Sequence, residues 1–506
     1  MSADASDQPL RGSGWWTRAE YLPQEIGGYQ GNPRIEALPK IFSKRELAKG
    51  LGSRPEYREE ERELPPEVRQ HATVTVLSFV RPLSIHNDLA VKISKLLRNG
   101  YVARNPVLPR YRTDMEARLV RKNRRKPGPR STGMSLSGLS GVGKSTALEA
   151  ILDMYPQVIE HVEYKGKPRL EAQVVHLTLQ CPPDSSVRAL CVRFIRTLDD
   201  LLGETYTKDY VTSQTRTPAL IDIMKRLASI HGLGLLVIDE MQHLASAKSG
   251  GERILLNTLT ELVNLIGVPI VMVGTPKMME MLDKEFRHLR RGTGQGEVHW
   301  DRMRRDTPAG EAEWQIFCEA MWTYQYVQTP SPLTPKLLDT LYFHSQGITD
   351  VVCKLYMLAQ DRAIASGLER ITAGLINSVA RDSLGSLQKV LKALRQNRRI
   401  KGMDDLIADG LTRIVDDGMR ATQELVPGAA PAGEGSDGEK GGRQGRGTPT
   451  QSAPSAPPSP PRSRGTPAVG TDATLMDIVR AGAVAKLSAY DALLDAGLIA
   501  EDAVGV

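Results

Sequence analysis

The chain has 506 residues, of which 40% are hydrophobic and 25% are charged, and its formal net charge is +7 at pH 7. This composition is typical of a globular protein of about two to four domains, and it excludes a collagen-like, fibrous or wholly disordered chain. The sequence has no uncharged apolar stretch of about 18 residues or more, so we expect no membrane span and no membrane partner. The first residues lack an apolar signal-peptide core and the four cysteines show no paired spacing, which predicts a cytoplasmic protein with reduced thiols.

One helix is predicted within a polar, proline-punctuated N-terminal region. Over residues 83–101 the apolar side chains of Leu89, Ile93 and Leu97 recur at helical spacing, and Gly100 is placed to end the helix. We therefore interpret residues 1–105 as a small helical N-terminal appendage.

Positive charge is concentrated in residues 110–130, which contain nine basic and two acidic side chains. The net charge of this block equals that of the whole chain, so the remaining sequence is neutral on balance. Such a block indicates a polyanionic partner, most simply double-stranded DNA, although a solvated surface linker is the alternative from charge alone. Sequence-specific recognition is not expected, because no helix-turn-helix pattern or zinc-ligand spacing accompanies the block.

Strand-like apolar runs alternate with helical patterns from residue 106 to about residue 300. The predicted strands are residues 133–137, 173–179, 233–239 and 269–274. Strands of this apolar character are typical of sheets that are buried on both faces. The predicted fold class is therefore α/β, with a mostly parallel sheet and helices on both sides.

The sequence GLSGVGKS at residues 138–145 matches the phosphate-binding pattern G-x-x-x-x-G-K-[ST]. It follows a predicted strand and opens a predicted helix over residues 146–154, which is the context that the pattern requires. Its glycines let backbone N–H groups point at phosphates, Lys144 reaches the β- and γ-phosphates, and Ser145 offers its hydroxyl to Mg²⁺. We predict that ATP and Mg²⁺ are bound by Gly138, Leu139, Ser140, Gly141, Val142, Gly143, Lys144, Ser145 and Thr146.

Two later strands end in polar residues that suit catalysis. The strand at 233–239 ends in the acid pair Asp239 and Glu240, and the strand at 269–274 is followed by Thr275. Because ligands bind at the carboxyl ends of strands in open α/β sheets, we expect Asp239 to hold Mg²⁺ through water. Glu240 would polarise the attacking water as a general base, and Thr275 would sense the γ-phosphate. A simple helix cap and an ordinary turn threonine are the alternatives for these positions.

Arginines downstream of Thr275 are candidates for a finger that reaches a neighbouring subunit's γ-phosphate. Six follow it, and Arg290 and Arg291 are preferred as catalytic residues because they are closest after the helix that follows Thr275; the others are Arg287, Arg302, Arg304 and Arg305. Residues that face DNA are not identified by the pattern, although Lys208, Arg216 and Lys225 lie in or near plausible pore loops.

The C-terminal third divides by composition. Residues 308–400 show helical periodicity, which predicts a helical domain, and residues 401–425 are read as a helical extension. Residues 426–470 contain nine prolines, ten glycines and no aromatic residue, so we expect a disordered linker. Residues 471–506 are apolar and periodic again, which predicts a partner-binding helical segment. A helix that folds back on its own domain is the alternative.

With these motifs the chain resembles AAA+ ATPases and, more narrowly, the TnsC/TniB family of transposition regulators. The narrower resemblance, over roughly residues 80–400, is carried by NGYVARNP at 99–106, IDEMQHL at 238–244, VGTP at 273–276 and HSQGITDVVCKLYMLAQ at 344–360. It identifies residues 106–307 as the P-loop AAA+ core and residues 308–400 as the helical lid.

The resemblance also implies partners and a role. It implies an ATP-bound homo-oligomer, a ring or filament, that assembles on double-stranded DNA and is released on ATP hydrolysis. It further implies a TniQ/TnsD-type target selector, in some relatives linked to a CRISPR effector, and a TnsB-type transposase that a TnsA-type endonuclease sometimes joins.

One position departs from the AAA+ pattern. Many AAA+ lids carry an arginine three residues after a glycine, whereas here Gly347 is followed at that spacing by Asp350, with Lys354 one turn beyond. The lid is therefore not expected to supply an arginine to the nucleotide. A replication initiator or helicase loader, a scaffold that binds ATP without hydrolysis, and a substrate kinase are the other functions considered. Glu240 argues against the scaffold, and the lack of an acceptor-binding constellation argues against the kinase.

Overall fold

The computed structural model describes residues 16–109, 111, 133–183, 186–246, 256, 258, 259, 261, 263, 266–285, 296–400 and 402–424. Several predicted features lie outside these residues: nearly all of the basic block at 110–130, the candidate fingers Arg290 and Arg291, the linker and the C-terminal segment.

The strands are β1 Trp16–Arg18, β2 Met134–Gly138, β3 Val158–Tyr164, β4 Lys167–Val174, β5 His176–Gln180, β6 Leu235–Asp239, β7 Ile270–Gly274 and β8 Glu297–Trp300. Five of them form one wholly parallel sheet in the order β5-β6-β7-β2-β8. The other three form a small sheet in which β3 lies between β1 and β4. The predicted α/β class with a parallel core sheet is confirmed, whereas the small sheet and β8 were not predicted.

The helices are α1 Pro33–Glu36, α2 Lys44–Gly50, α3 Pro66–Thr73, α4 Ser84–Val102, α5 Lys144–Leu152, α6 Val187–Leu202, α7 Tyr206–Tyr210, α8 Thr217–Ile230, α9 Pro276–Glu285, α10 Pro308–Trp322, α11 Pro335–Ser345, α12 Thr349–Ala365, α13 Ala373–Ser383, α14 Gln388–Arg395 and α15 Met403–Gln423. Two of these helices, α10 and α11, begin with a capping residue of the expected type. Thr307 and Thr334 each accept a backbone N–H bond in the first turn, and a proline follows each of them. None of the helices in the described part of the chain is long and apolar enough to cross a membrane.

The main sheet is buried on both faces, as the apolar runs predict. In β6, Leu235 and Val237 belong to a core shared with α4 and α5, whereas Leu236 and Ile238 belong to a core shared with α6 and α8. Because successive side chains of a strand point to opposite faces, both sets must be apolar. This burial fixes the sheet in the middle of the α/β unit and leaves the carboxyl ends of its strands to form the site.

Two predicted boundaries are wrong, each because tertiary packing hides the local signal. The single strand predicted at 173–179 is two strands: the chain leaves β4 at Val174 and enters β5 of the main sheet at His176. The run looks continuous because Val174 and Val175 are both buried. Gly100 does not end its helix either. It lies inside α4, where a Cβ would overlap the ring of Pro269, so this glycine allows close packing.

Helices α10 to α15 form a second, all-helical core around α12, and we call this unit the lid. The N-terminal residues contact both units. α1, α2 and α4 pack on the sheet, while α3 and the 3₁₀ turn Val74–Ser78 pack against α12. Val76 and Phe79 are buried in the lid core. The segment between α3 and α4 therefore runs along the junction of the sheet and the lid.

A buried ion pair holds the N-terminal segment to the lid and gives a stability prediction. The fully buried Arg69 guanidinium donates to both carboxylate oxygens of Glu369 at 2.7 Å and to the carbonyls of Leu64 and Tyr326. Arg69→Ala should lower the free energy of unfolding in urea by about 3–5 kcal/mol, because it leaves a carboxylate without its buried partner. Arg58→Ala, which removes an exposed pair with Glu56, is the control and should cause no measurable change. Equal midpoints for the two variants would contradict this account.

Candidate functional site

The phosphate loop connects β2 to α5 and has the backbone that its glycines allow. Gly141 and Gly143 have φ values of +78° and +97°, a region that side chains with a Cβ rarely adopt. Lys144 begins α5, and its Nζ donates to the carbonyls of Gly138 at 2.9 Å and Leu139 at 2.8 Å. Burial lowers the pKa of this ammonium. The ammonium therefore lies across the loop, where phosphate oxygens could replace its two carbonyl partners.

The acid pair lies directly opposite the loop. The Ser145 hydroxyl donates to Oδ2 of Asp239 at 2.6 Å, and Oδ1 of Asp239 accepts the Glu240 backbone N–H at 2.7 Å. A hydroxyl and a carboxylate oxygen are the kind of oxygen donors that Mg²⁺ prefers. Ser145 and Asp239 are therefore the residues that would hold this ion.

Glu240 has an unusual backbone conformation, and its side chain contacts a residue that was not predicted. Its φ is +57°, and its carboxylate accepts a hydrogen bond from the amide Nε2 of Gln242. The Oε1 atom of the same amide accepts the backbone N–H of Thr275 at 3.2 Å. Gln242 thus links the acid pair at the end of β6 to the end of the neighbouring strand β7. Its position within DEMQHL was visible in the sequence, but this link depends on the strand pairing.

Thr275 has a buried hydroxyl with no partner. The residue is 4% exposed, and within the described residues its Oγ1 forms no hydrogen bond. It lines the same cavity as the phosphate loop. Since a buried polar atom without a partner is costly, this hydroxyl could form a hydrogen bond with a ligand in the cavity.

Two residues of the lid form hydrogen bonds with one backbone carbonyl of the phosphate loop. Gly141 O accepts both the Thr349 hydroxyl at 2.9 Å and the Asp350 backbone N–H at 3.0 Å. Lys354 does not point to the cavity: its Nζ contacts Oδ2 of Asp350 at 2.9 Å and the Leu411 carbonyl at 3.0 Å. The lid therefore presents Asp350 and Thr349 where many AAA+ lids present an arginine.

A cavity of about 390 Å³ joins these groups. Its polar end is formed by Ser140, Gly141, Val142, Gly143, Lys144, Ser145, Thr146, Asp239, Glu240, Gln242, Gly274, Thr275, Thr349 and Asp350. The rest of its wall comes from the N-terminal segment and the lid, with Leu77, Phe79, Val80, Arg81, Leu83, His86, Phe317 and Cys353. None of these eight residues was predicted, because they come from segments more than 200 residues apart in sequence.

His86 lines this second part of the cavity and carries no charge. Its Nδ1 accepts the Leu83 backbone N–H at 3.1 Å, and its ring packs edge-on against Trp300. Burial lowers the pKa of His86 to about 4, so the ring is uncharged at neutral pH. The wall between α3 and α4 is therefore largely apolar, with Arg81 as its one cation.

The predicted site residues can now be placed. The structure brings residues 140–146 together with Asp239, Glu240 and Thr275, while Gly138 and Leu139 lie beneath the loop and bind Lys144 through their carbonyls. Arg302 is buried and donates to the Gln346 carbonyl, Arg304 pairs with Asp306, and Arg305 pairs with Glu311. Lys225, placed near a pore loop by sequence, is buried and paired with Glu261.

Strand order, loop and acid pair together define a P-loop AAA+ fold. In agreement, a family model described as an AAA domain matches residues 130–282. No curated protein matches the chain.

Solved structures that match this chain include Orc1 of Aeropyrum pernix in complex with DNA, with 14% identity, coverage of 65% of this chain and 80% of that chain, and a TM-score of 0.35. Orc2 of the same organism has 12% identity, coverage of 65% and 97%, and a TM-score of 0.33. Cdc6p of Pyrobaculum aerophilum has 10% identity, coverage of 64% and 98%, and a TM-score of 0.30.

Proposed function

We propose that this chain is an ATP-dependent, DNA-binding AAA+ regulator of transposition, which assembles on target DNA with ATP and disassembles on hydrolysis. The observation that carries the ATPase part is one cavity that contains a phosphate loop, a Ser145–Asp239 pair, Glu240 and a buried unpartnered Thr275 hydroxyl. The transposition part is supported by the motifs DEMQHL and GITDVVCKL.

The residues present fit ATP with Mg²⁺. The conformation of the loop glycines lets backbone N–H groups point at phosphates, and the hydroxyl of Thr275 lacks an acceptor, which a phosphate oxygen would supply. The apolar wall of Phe79, Leu83 and Phe317 suits a flat heterocycle such as adenine. When bound, Mg²⁺ would neutralise phosphate charge between Ser145 and Asp239.

Each side chain then has one task. Lys144 exchanges its two carbonyl partners for phosphate oxygens. Glu240 accepts a proton from the attacking water, and Gln242 positions Glu240 by holding its carboxylate against the end of β7. Thr275 donates its hydroxyl to a phosphate oxygen. No arginine of the sheet or the lid lines the cavity in the described part of the chain. This observation supports a site completed by a neighbouring subunit, with Arg290 or Arg291 as the finger.

Charge supports the nucleic-acid partner. The block at 110–130 carries a net charge equal to that of the whole chain and directly precedes β2 of the core sheet. On this basis double-stranded DNA is the polyanion, and the ATP-bound homo-oligomer on DNA links a TniQ/TnsD-type selector to a TnsB-type transposase, with a TnsA-type endonuclease where one is encoded. The segment at 471–506 is the proposed partner-binding element.

Thr275→Val should separate catalysis from folding. Because its hydroxyl forms no hydrogen bond with any described residue, removing it should leave the thermal midpoint unchanged or higher. The kcat for ATP should fall by about 100-fold with little change in KM, because an interaction specific to the transition state is lost. Steady-state hydrolysis and thermal unfolding measure both effects. A wild-type kcat in a stable variant would exclude Thr275 from the reaction.

Recruitment tests the proposed role itself. The hydrolysis-deficient E240Q variant, loaded with ATP on duplex DNA, should retain a TnsB-type transposase and release it when ATP is replaced by ADP. Retention of a replicative helicase in place of the transposase would overturn the transposition role and favour the initiator or loader alternative.

A further inference from the structure

A strongly basic segment of the lid plays no part in the nucleotide site. Residues 388–399, which comprise α14 and the turn after it, contain Lys389, Lys392, Arg395, Arg398 and Arg399 and no acidic residue. These residues are far in sequence from the basic block at 110–130.

The charges share one exposed face. Lys389, Lys392 and Arg395 are spaced three residues apart on α14, so they project from the same side of the helix. The opposite side, with Val390 and Leu391, is buried in the lid core. Lys389, Lys392, Arg398 and Arg399 are exposed. We call this surface, together with the adjoining Phe343, the lid basic face.

An exposed aromatic ring adjoins these cations. Phe343 on α11 is 51% exposed, and the Arg395 guanidinium lies over its ring at 4.2 Å from the centroid. Stacking on the ring holds this guanidinium in place, and its Nε donates to the Leu391 carbonyl at 3.3 Å. A large exposed ring is unusual in a helical bundle whose other aromatic residues are mostly buried, and it adds an apolar platform beside the cations.

The face is also not neutralised. Within the described residues, Lys389, Lys392, Arg395 and Arg398 form no ion pair. Arg399 interacts electrostatically with the carboxylate of Asp404, and three other lid cations are paired: Arg304 with Asp306, Arg305 with Glu311 and Arg362 with Asp382. Unpaired cations grouped on one face repel one another, so they favour binding of a polyanion.

We propose that the lid basic face binds the phosphate backbone of duplex DNA, as a second contact besides the block at 110–130. The proposal rests on the DNA-binding role proposed above and adds the residues and the domain that perform it. Lysine ammonium groups and arginine guanidinium groups contact backbone phosphates without reading base sequence. Duplex DNA presents phosphates at close regular spacing, which suits three cations repeated along one helix face.

The lid basic face adjoins a helix that contacts the residues around the phosphate loop. The turn that carries Arg398 and Arg399 leads directly into α15. α15 supplies the Leu411 carbonyl to Lys354, which pairs with Asp350 over the phosphate loop, and its Asp405 pairs with Lys277 next to Thr275. DNA held at the lid basic face would therefore steady the same helices that close on the loop.

The test compares two triple variants of the full-length chain that remove equal charge. The first is Lys389→Ala, Lys392→Ala and Arg398→Ala. The control is Lys44→Ala, Arg45→Ala and Lys49→Ala, which removes three exposed cations from α2 on the sheet side of the molecule. Binding to a fluorescent duplex with ATP is measured over a range of salt concentrations, and DNA-free ATP hydrolysis checks that each variant is folded.

The lid variant should bind DNA more weakly and show a log–log salt dependence less steep by about 2–3, since each lost phosphate contact removes about 0.9. The control should keep the wild-type slope. An unchanged slope in the lid variant, or equal losses in both variants, would overturn the proposal. Binding of the lid basic face to anionic phosphatidylserine vesicles without any change in DNA slope would also overturn it. A wild-type chain that binds no duplex at all would instead defeat the proposed DNA-binding function.

Discussion

Glu240→Gln should reduce ATP hydrolysis at least about 100-fold while leaving ATP binding intact. Glutamine keeps the size of the side chain and can still hydrogen-bond Gln242, but an amide cannot accept the proton of the attacking water. The Glu240 backbone N–H bonds to Asp239, and Gln242 links the Glu240 carboxylate to the backbone of Thr275. Its replacement therefore removes the base and preserves the geometry. Steady-state hydrolysis and binding of a fluorescent ATP analogue separate the two effects.

Glu163→Gln is the matched control for this experiment. Glu163 is an exposed residue of β3, in the small sheet, and the same chemical change there should leave hydrolysis at the wild-type rate. An E240Q variant that keeps more than about a tenth of the wild-type kcat would show that another group is the base.

Lys144→Ala should abolish nucleotide binding, with an increase in Kd for ATP of at least about 100-fold. The ammonium is the one lysine charge that lines the cavity among the described residues, and it is held at the loop by two carbonyls until phosphate oxygens replace them. A buried cation facing a triphosphate in a water-poor site is worth far more than a surface charge. Alanine removes this charge and leaves the glycine backbone as it is.

The control for Lys144→Ala is Lys354→Ala. Lys354 lies in the lid beside the site, but its Nζ contacts Asp350 and the Leu411 carbonyl and does not line the cavity. We expect its removal to change Kd for ATP only a few-fold. Equal losses in the two variants would mean that lid closure, and not direct contact with phosphate, dominates binding.

Much of the polar part of the site could be predicted because its residues belong to local motifs. The phosphate loop is a continuous pattern, and Glu240 and Thr275 each follow an apolar strand directly. In a parallel sheet the carboxyl ends of neighbouring strands meet at one edge, so strand prediction alone brings these residues together. That edge is where the structure places them.

The rest of the cavity could not be predicted, because it depends on tertiary packing. Leu83 and His86 precede the core by about 50 residues, and Phe317 follows it, so no local pattern links them to the loop. The small sheet escaped prediction for a related reason. Its strands are short or alternate between exposed and buried residues, with Leu170 of β4 almost fully exposed, so they lack the continuous apolar signal of the core strands.

The burial of single charged residues could not be predicted from the sequence either. By sequence Lys225 lies in or near a plausible pore loop, yet it is buried on α8 beside Asp222 and Glu261. The lid basic face shows the reverse case: its cations are close together in sequence, but the exposure of Lys389 and Lys392 on one side of α14 is seen only in the structure. A count of charges therefore predicts the class of partner, a polyanion, but does not predict which surface of the protein contacts it.

We propose that this chain is an ATPase whose active form is an oligomer on DNA. The most direct test of this proposal is the rate of ATP hydrolysis against protein concentration, with and without duplex DNA, for the wild type and E240Q. We predict a cooperative rise with protein concentration, stimulation by DNA, and loss of turnover in E240Q with DNA binding retained. A rate that is linear in protein and indifferent to DNA would contradict the claim.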